Sequence, residues 1–226
     1  MTRTTPTRTT LRTLRTSALL GLAGLGTAGA LALGPATTAH AAEPTIPNVP
    51  ANAATAPEQA RIADYDGALQ PNGYYCGPAA TRIALSAHGE PPSFDALAKE
   101  LGTTREGTKS IDDITRVLNQ HTGGRYTAVK FDSPTVTDEQ TDKLRTDIMA
   151  AINDGDPVVV NIVGQVTDTN GETHRYAGGH YLTVTGYSDN GHTVHITDPA
   201  DRKGSNEYQL PIDKLADWTA TRGYTS

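Results

Sequence analysis

A single cysteine, Cys76, stands in 226 residues. That scarcity excludes a disulfide framework and any metal site built from several thiolates. Basic residues are also short: 19 Lys and Arg face 25 Asp and Glu, a formal charge of −6. The first 41 residues hold Arg3, Arg8, Arg12 and Arg15 and no acid. Without them 15 bases face 25 acids, a net charge of −10. Nucleic-acid binders neutralise phosphates with basic surface, so that class is excluded. Beyond residue 41 no run is apolar enough to cross a bilayer, and no internal repeat is visible. What remains is a chain with 36% hydrophobic residues, enough for one domain with a real core, and 22 Gly with 14 Pro to make its turns.

The amino terminus carries an address. Arginines spread through a Thr-rich start precede a charge-free run from Ser17, and the small-x-small pattern Ala39-His40-Ala41 closes it. A basic region, an apolar region and such a site together describe a secretory signal peptide over residues 1–41. The other reading, a membrane anchor, suits a Gly- and Ala-rich run of this length poorly. No Arg-Arg pair precedes the run, which disfavours the twin-arginine route. The expected mature protein is soluble, outside the cytoplasm, and free of the membrane. Residues 42–60 are mostly Pro, Ala, Thr and Asn, a flexible linker or short pro-segment, and residues 61–226 form the folded domain.

Helices come first in that domain. Cys76-Gly77-Pro78 opens one that stops near Gly89, since Pro fits a first helical turn and Gly a last one. Ser93 caps FDALAKEL, which ends at Gly102. Ser110 caps IDDITRVLNQH, with Ile111, Ile114, Val117 and Leu118 in one stripe. Thr137 to Gln140 has the capping-box pattern ahead of Leu144, Ile148 and Ile152. A strand is expected at Tyr126–Phe131.

Sheet follows. The β-branched run after Pro157 suits a buried strand. His180–Tyr187 and His192–Thr197 alternate around Asp189-Asn190-Gly191, a hairpin signal, and Ile212–Trp218 suits a short closing helix. Helices before an antiparallel sheet make an α+β fold. Leu182 and Val184 share a face with His180, as Val194 and Ile196 do with Asp198. For both apolar sets to meet one core, even-numbered residues must pair with even-numbered ones, which an odd-length loop permits. A three-residue loop at 189–191 sets His180 opposite Ala200, with Asp198 on the diagonal. A five-residue loop at 187–191 sets His180 opposite Asp198. In both registers the imidazole and the carboxylate come within hydrogen-bond reach.

These residues form a constellation for nucleophilic catalysis. Cys76 sits where a helix begins, where unpaired N–H groups and the helix dipole favour a thiolate. A His nearby can take and return a proton, and an Asp can hold its ring in the right tautomer. Cys76 alone reads more simply as an inert buried thiol; with His180 and Asp198 the catalytic reading prevails. Asp201 is the rival for the orienting role, but it has the wrong strand parity. His174, His192 and His195 raise the question of a metal. His192 and His195, three apart on a strand, point to opposite sides and make a poor chelate, so exposed histidines are expected. Asp112-Asp113 and Asp154-Gly155-Asp156 suit a helix first turn and a loop, with too few oxygen ligands for calcium. No cofactor and no metal is expected.

The blocks Gln70-Pro-Asn-Gly-Tyr-Tyr-Cys76-Gly-Pro-Ala-Ala, Gly178-Gly-His180-Tyr-Leu-Thr-Val-Thr-Gly-Tyr187 and Ile196-Thr-Asp198-Pro199 resemble those of papain-like cysteine peptidases. The resemblance covers about residues 61–200 and is nearest to the bacteriocin-processing, double-glycine leader peptidase-like family in its stand-alone secreted form. It implies a papain-like fold with N-terminal helices packed on a C-terminal antiparallel sheet, and a peptide or protein substrate. It further implies Cys76 as nucleophile, His180 as base and acid, and Asp198 as orienting residue. Gln70, six residues before the cysteine, would donate to the developing oxyanion beside the Cys76 N–H. Unlike the transporter-linked members, this chain shows no membrane domain and no phosphate-binding Gly-x4-Gly-Lys motif, so double-glycine specificity is not carried over. Two other outcomes stay open at this point. One is an acyltransferase or amidase on the same scaffold, which product analysis with added amines would separate; the other is a non-catalytic binding domain.

Overall fold

The computed structural model describes residues 58–62 and 64–226. The expected signal peptide and nearly all of the 42–60 segment lie outside the described residues. Three helices lead, each set by local chemistry: α1 (Cys76–Ser86), α2 (Phe94–Leu101) and α3 (Ile111–Thr122). Ser93 accepts from the Ala96 N–H and Ser110 from the Asp113 N–H, and glycines 102 and 123 end α2 and α3 in left-handed geometry. A longer helix, α4 (Asp138–Asn153), opens with the reciprocal Thr137–Gln140 capping box. The closing helix α5 spans Ile212–Trp218, as the sequence predicts.

Seven strands form one sheet: β1 (Ala60–Arg61), β2 (Ala128–Val129), β3 (Val158–Thr167), β4 (Thr173–Ser188), β5 (Thr193–Thr197), β6 (Glu207–Pro211) and β7 (Gly223–Thr225). The order is β2-β7-β3-β4-β5-β6, with β1 against β4, and every pairing is antiparallel. The strand expected over Tyr126–Phe131 is only two residues long because its partner β7 is short. Helices cover both faces. Val159 and Tyr181 join the core of α1, α2 and α3, whereas Val158, Val160, Ile162, Leu182 and Val184 join α4 and α5. The alternation of a fully buried strand thus feeds two cores, one per face.

The β4–β5 hairpin corrects the expected loop. Ser188 pairs with Thr193, so the loop is the four residues 189–192, an even number that by itself would mismatch the faces. Asp189, Asn190 and Gly191 all take positive φ, and Asn190 O accepts from Arg145 of α4 at 3.1 Å. The register then shifts between Val184 and Gly186, leaving Thr185 as the extra residue of a β-bulge, and Val184 pairs with Ile196. Even pairs with even beyond the bulge, at the end of the hairpin where His180 lies. The bulge also turns Tyr187 into the same core as Val184.

One glycine is required where the chain closes. A Cβ at Gly223 would lie 2.2 Å from the Val129 carbonyl oxygen, and its φ is +130°. We predict that Gly223→Ala destabilises the domain by about 3 kcal/mol, from backbone overlap and strain together. Thermal or urea unfolding of the purified variant measures this; unchanged stability would contradict the packing of β7 on β2.

Candidate active site

Cys76 is the first residue of α1, and this helix start differs from the next three. Tyr75 at its cap gives no side-chain hydrogen bond, and the first turn holds no acid. The α2, α3 and α4 starts are all capped by a hydroxyl and carry acids. The N–H groups and positive dipole end of α1 are therefore left to the thiol. Gly77 lets Thr108 close over this helix tip: a Cβ there would meet Thr108 Oγ1 at 2.1 Å.

Cys76 borders the core of the first three helices, and His180 shares its strand face with Leu182 and Val184 of the other core. Thiol and ring meet at the seam between the two and line one cleft of about 430 Å³. His180 Nε2 is 2.7 Å from Asp198 Oδ1, leaving Nδ1 for the sulfur. His180 is 4% exposed and Asp198 is fully buried. The carboxylate is saturated with donors: Oδ1 also accepts the Ala200 N–H at 2.9 Å, and Oδ2 accepts Tyr176 Oη at 2.8 Å and Tyr208 Oη at 3.0 Å.

Electrostatics follow from these contacts. Burial pushes the Cys76 thiol up, but the hydrogen bond and charge of His180, with the Tyr181 and Gly77 N–H groups, bring it below its ordinary value. Burial opposes charge on His180 as well; hydrogen bonds to Asp198 and Cys76 prevail, and the ring is pushed up to about 9. Burial likewise works against the Asp198 carboxylate, and its donors, His180 first, hold it below the usual range. Both shifts act in favour of a thiolate beside an imidazolium. Such a pair can attack a carbonyl carbon and protonate the group that leaves.

Gln70 is buried on a neighbouring loop and does not line the cleft. Its Nε2 donates to Asn72 O at 2.6 Å, its backbone N–H donates to Pro199 O at 2.8 Å, and its carbonyl accepts from Arg202 at 3.0 Å. The last two bonds tie it to the turn that follows Asp198, and its buried side-chain Oε1 has no hydrogen-bond partner. Asp201 makes no contact with His180; its Oδ1 accepts the Lys203 N–H. His174 departs from the expected exposure. It is 6% exposed, its Nε2 sits 3.2 Å from Asp168 Oδ2, and its ring stacks on Tyr208 at 3.7 Å. Among the described residues no group of three His, Cys, Asp or Glu is placed to hold a metal ion, and no helix is long and apolar enough to cross a membrane.

Sequence reasoning missed Tyr176 and Tyr208. The Tyr176 ring stacks on His180 with centroids 4.0 Å apart, although residues four apart in a regular strand are separated by about 13 Å. The chain folds up between them: β3 advances from Ile162 to Gly164 while β4 moves from His180 to Tyr176, so β4 carries two extra residues. Two extra residues preserve parity, and the even numbering of 176 and 180 was the available signal. Tyr208 lies on β6, opposite Ile196, a strand the sequence reading did not find.

Residues 60–226 match the Peptidase_C39 like family. Among solved structures, a C39-like peptidase from Bacillus anthracis aligns at 13% identity over 74% of this chain and 96% of its own, with a TM-score of 0.53. A double-glycine motif protease from an AMS/PCAT transporter, solved with its leader peptide, gives 14% identity, 75% and 96% coverage and a TM-score of 0.46. The peptidase domain of Streptococcus ComA, a bi-functional ABC transporter, gives 16%, 70%, 93% and 0.45. At such identities the likeness is one of fold, and of these three only the Bacillus structure carries that argument. No curated protein matches the sequence. Family match, fold and site converge: the chain belongs to the Peptidase_C39 like family and is a papain-like cysteine peptidase.

Proposed function

We propose that this peptidase is exported and hydrolyses a peptide or isopeptide bond through a thioester on Cys76. The observation that carries the reading is the thiol at an uncapped helix tip, beside a His180 ring held at 2.7 Å by the buried Asp198. Cys76 Sγ attacks the carbonyl carbon, and the carbonyl oxygen takes up the negative charge. The imidazolium of His180 gives its proton to the departing amine as the C–N bond breaks. Water then adds to the thioester with His180 as base, releasing the acid and restoring the thiolate. The Cys76 N–H serves the oxyanion, and Gln70 joins it if its amide turns from Asn72 O toward the cleft. Export rests on the basic, apolar and Ala39-His40-Ala41 pattern of the amino terminus.

Profiling the purified protein against a diverse peptide library tests the activity. Cys76→Ala and His180→Ala should each abolish turnover with the fold intact; near-native activity in either variant would refute the assignment. Gln70→Ala should lower kcat about a hundredfold with little change in KM. An unaltered kcat would leave the oxyanion to backbone N–H groups alone.

The pH dependence has a defined sign. The reactive ion pair exists above the lowered thiol value and below about 9, where His180 loses its proton. Iodoacetamide should therefore alkylate Cys76 rapidly near pH 6, with the rate of turnover declining near pH 9. Asp198→Asn removes the carboxylate that raises the ring, so burial prevails and the declining limb moves to lower pH. A native alkylation curve that tracks a free thiol would count against this mechanism.

A further inference from the structure

The cleft beside Cys76 is walled by charges that the hydrolytic mechanism does not use: Arg222 on one side, and Lys109 and Glu106 on the 102–109 turn. Among the described residues no carboxylate pairs with Arg222 or Lys109, whereas the nearby Asp112 and Asp113 are taken by Lys130 and Arg116. Glu106 is held by the Thr104 hydroxyl. Two free cations against one carboxylate give this cleft a positive excess in a chain that is otherwise strongly acidic.

Arg222 is also the best positioned of the three. Its guanidinium lies over Gly179, the residue before His180: a Cβ there would meet Arg222 Nη2 and the Ile162 carbonyl oxygen, each at 3.6 Å. The turn that carries it is pinned from several sides. Arg222 N–H donates to Thr219 O at 3.0 Å, and Thr221 N–H donates to Ser133 O at 3.1 Å. The buried Thr219 hydroxyl sits 2.6 Å from Asn161 O and 3.0 Å from Gly223 O. Asn161 itself lines the cleft, and Thr221 accepts a φ of +64° to complete the turn. These bonds fix the backbone that carries the cation at the rim of the cleft.

We propose that Arg222 makes this cleft selective for substrates that carry a carboxylate beside the bond to be opened. Resting on the hydrolase reading above, this names its substrate class: an acidic side chain or a free C-terminal carboxylate, which share one recognition chemistry. The overall negative charge of the protein does not cancel the effect. At physiological salt its field fades within about 8 Å, and the guanidinium dominates at contact distance.

The charge preference can be read at the thiol without a known substrate. Iodoacetate and iodoacetamide alkylate Cys76 by the same displacement of iodide and differ by one negative charge. In Arg222→Gln the ratio of iodoacetate to iodoacetamide rates should fall about two- to fivefold, the range of an exposed charge contact. Arg222→Lys should keep most of the native ratio, and added salt should lower the native ratio. An unchanged ratio in Arg222→Gln overturns the proposal. A second arm uses peptides cleaved in the library, comparing acidic with amide side chains and free with amidated C-termini. Loss of preference in Arg222→Gln for one pair identifies the source of the carboxylate; equal preference in native and variant protein for both pairs also overturns the proposal. If the native protein cleaves no peptide but the alkylation ratio responds, the hydrolase reading fails and the anion preference stands.

Discussion

A buried carboxylate governs this molecule. Asp198 has no exposure to water, and it remains an anion there because four donors converge on it: the His180 ring, the Ala200 N–H and the hydroxyls of Tyr176 and Tyr208. An unpartnered charge in that position would be neutralised or would unfold its surroundings. Burial and the charge of Asp198 push both phenols up, so they stay donors across the working pH range. The carboxylate in turn raises the deeply buried His180 ring, and the ring lowers the Cys76 thiol.

The backbone delivers these groups through two irregularities in β4. The bulge at Thr185 converts an even-length hairpin loop into matched faces, so His180 and Asp198 lie on one side. The extra residues ahead of His180 bring Tyr176 back over the ring and leave Gly179 open to Arg222. Bulges concentrate near functional sites because they re-aim side chains without ending a sheet. A second polar shell continues outward: His174 stacks on Tyr208 and is held by Asp168, which accepts the Asn170 and Glu172 N–H groups. That shell fixes the phenol that fixes the carboxylate.

The two cores have separate tasks. The helical cluster carries Cys76 at the tip of α1, and the α4–α5 side carries the strand face of His180. Because the cleft runs along the seam, its walls come from distant parts of the chain: the 102–109 turn, β3, β4 and the turn before β7. Thiol and ring are thus placed from two different cores, and segments far apart in the chain line the cleft between them.

Much of this was present in local patterns. The caps at Ser93, Ser110 and Thr137, the stripe of α3, the buried run of β3 and the shared parity of His180 and Asp198 are short-range signals, decided by neighbours within a few residues. Those determined the helices and the two hairpin strands, whereas the proximity of imidazole and carboxylate also needed the bulge at Thr185. The loop length, the donation by Tyr176 and Tyr208, the burial of His174, the turn of Gln70 toward Asn72 and the place of Arg222 were decided only in three dimensions. Each depends on a pairing or packing contact between segments far apart in the chain, such as β6 on β5 and α4 on the 189–192 loop. Periodicity records which face a residue shows; it does not record which distant segment comes to meet that face.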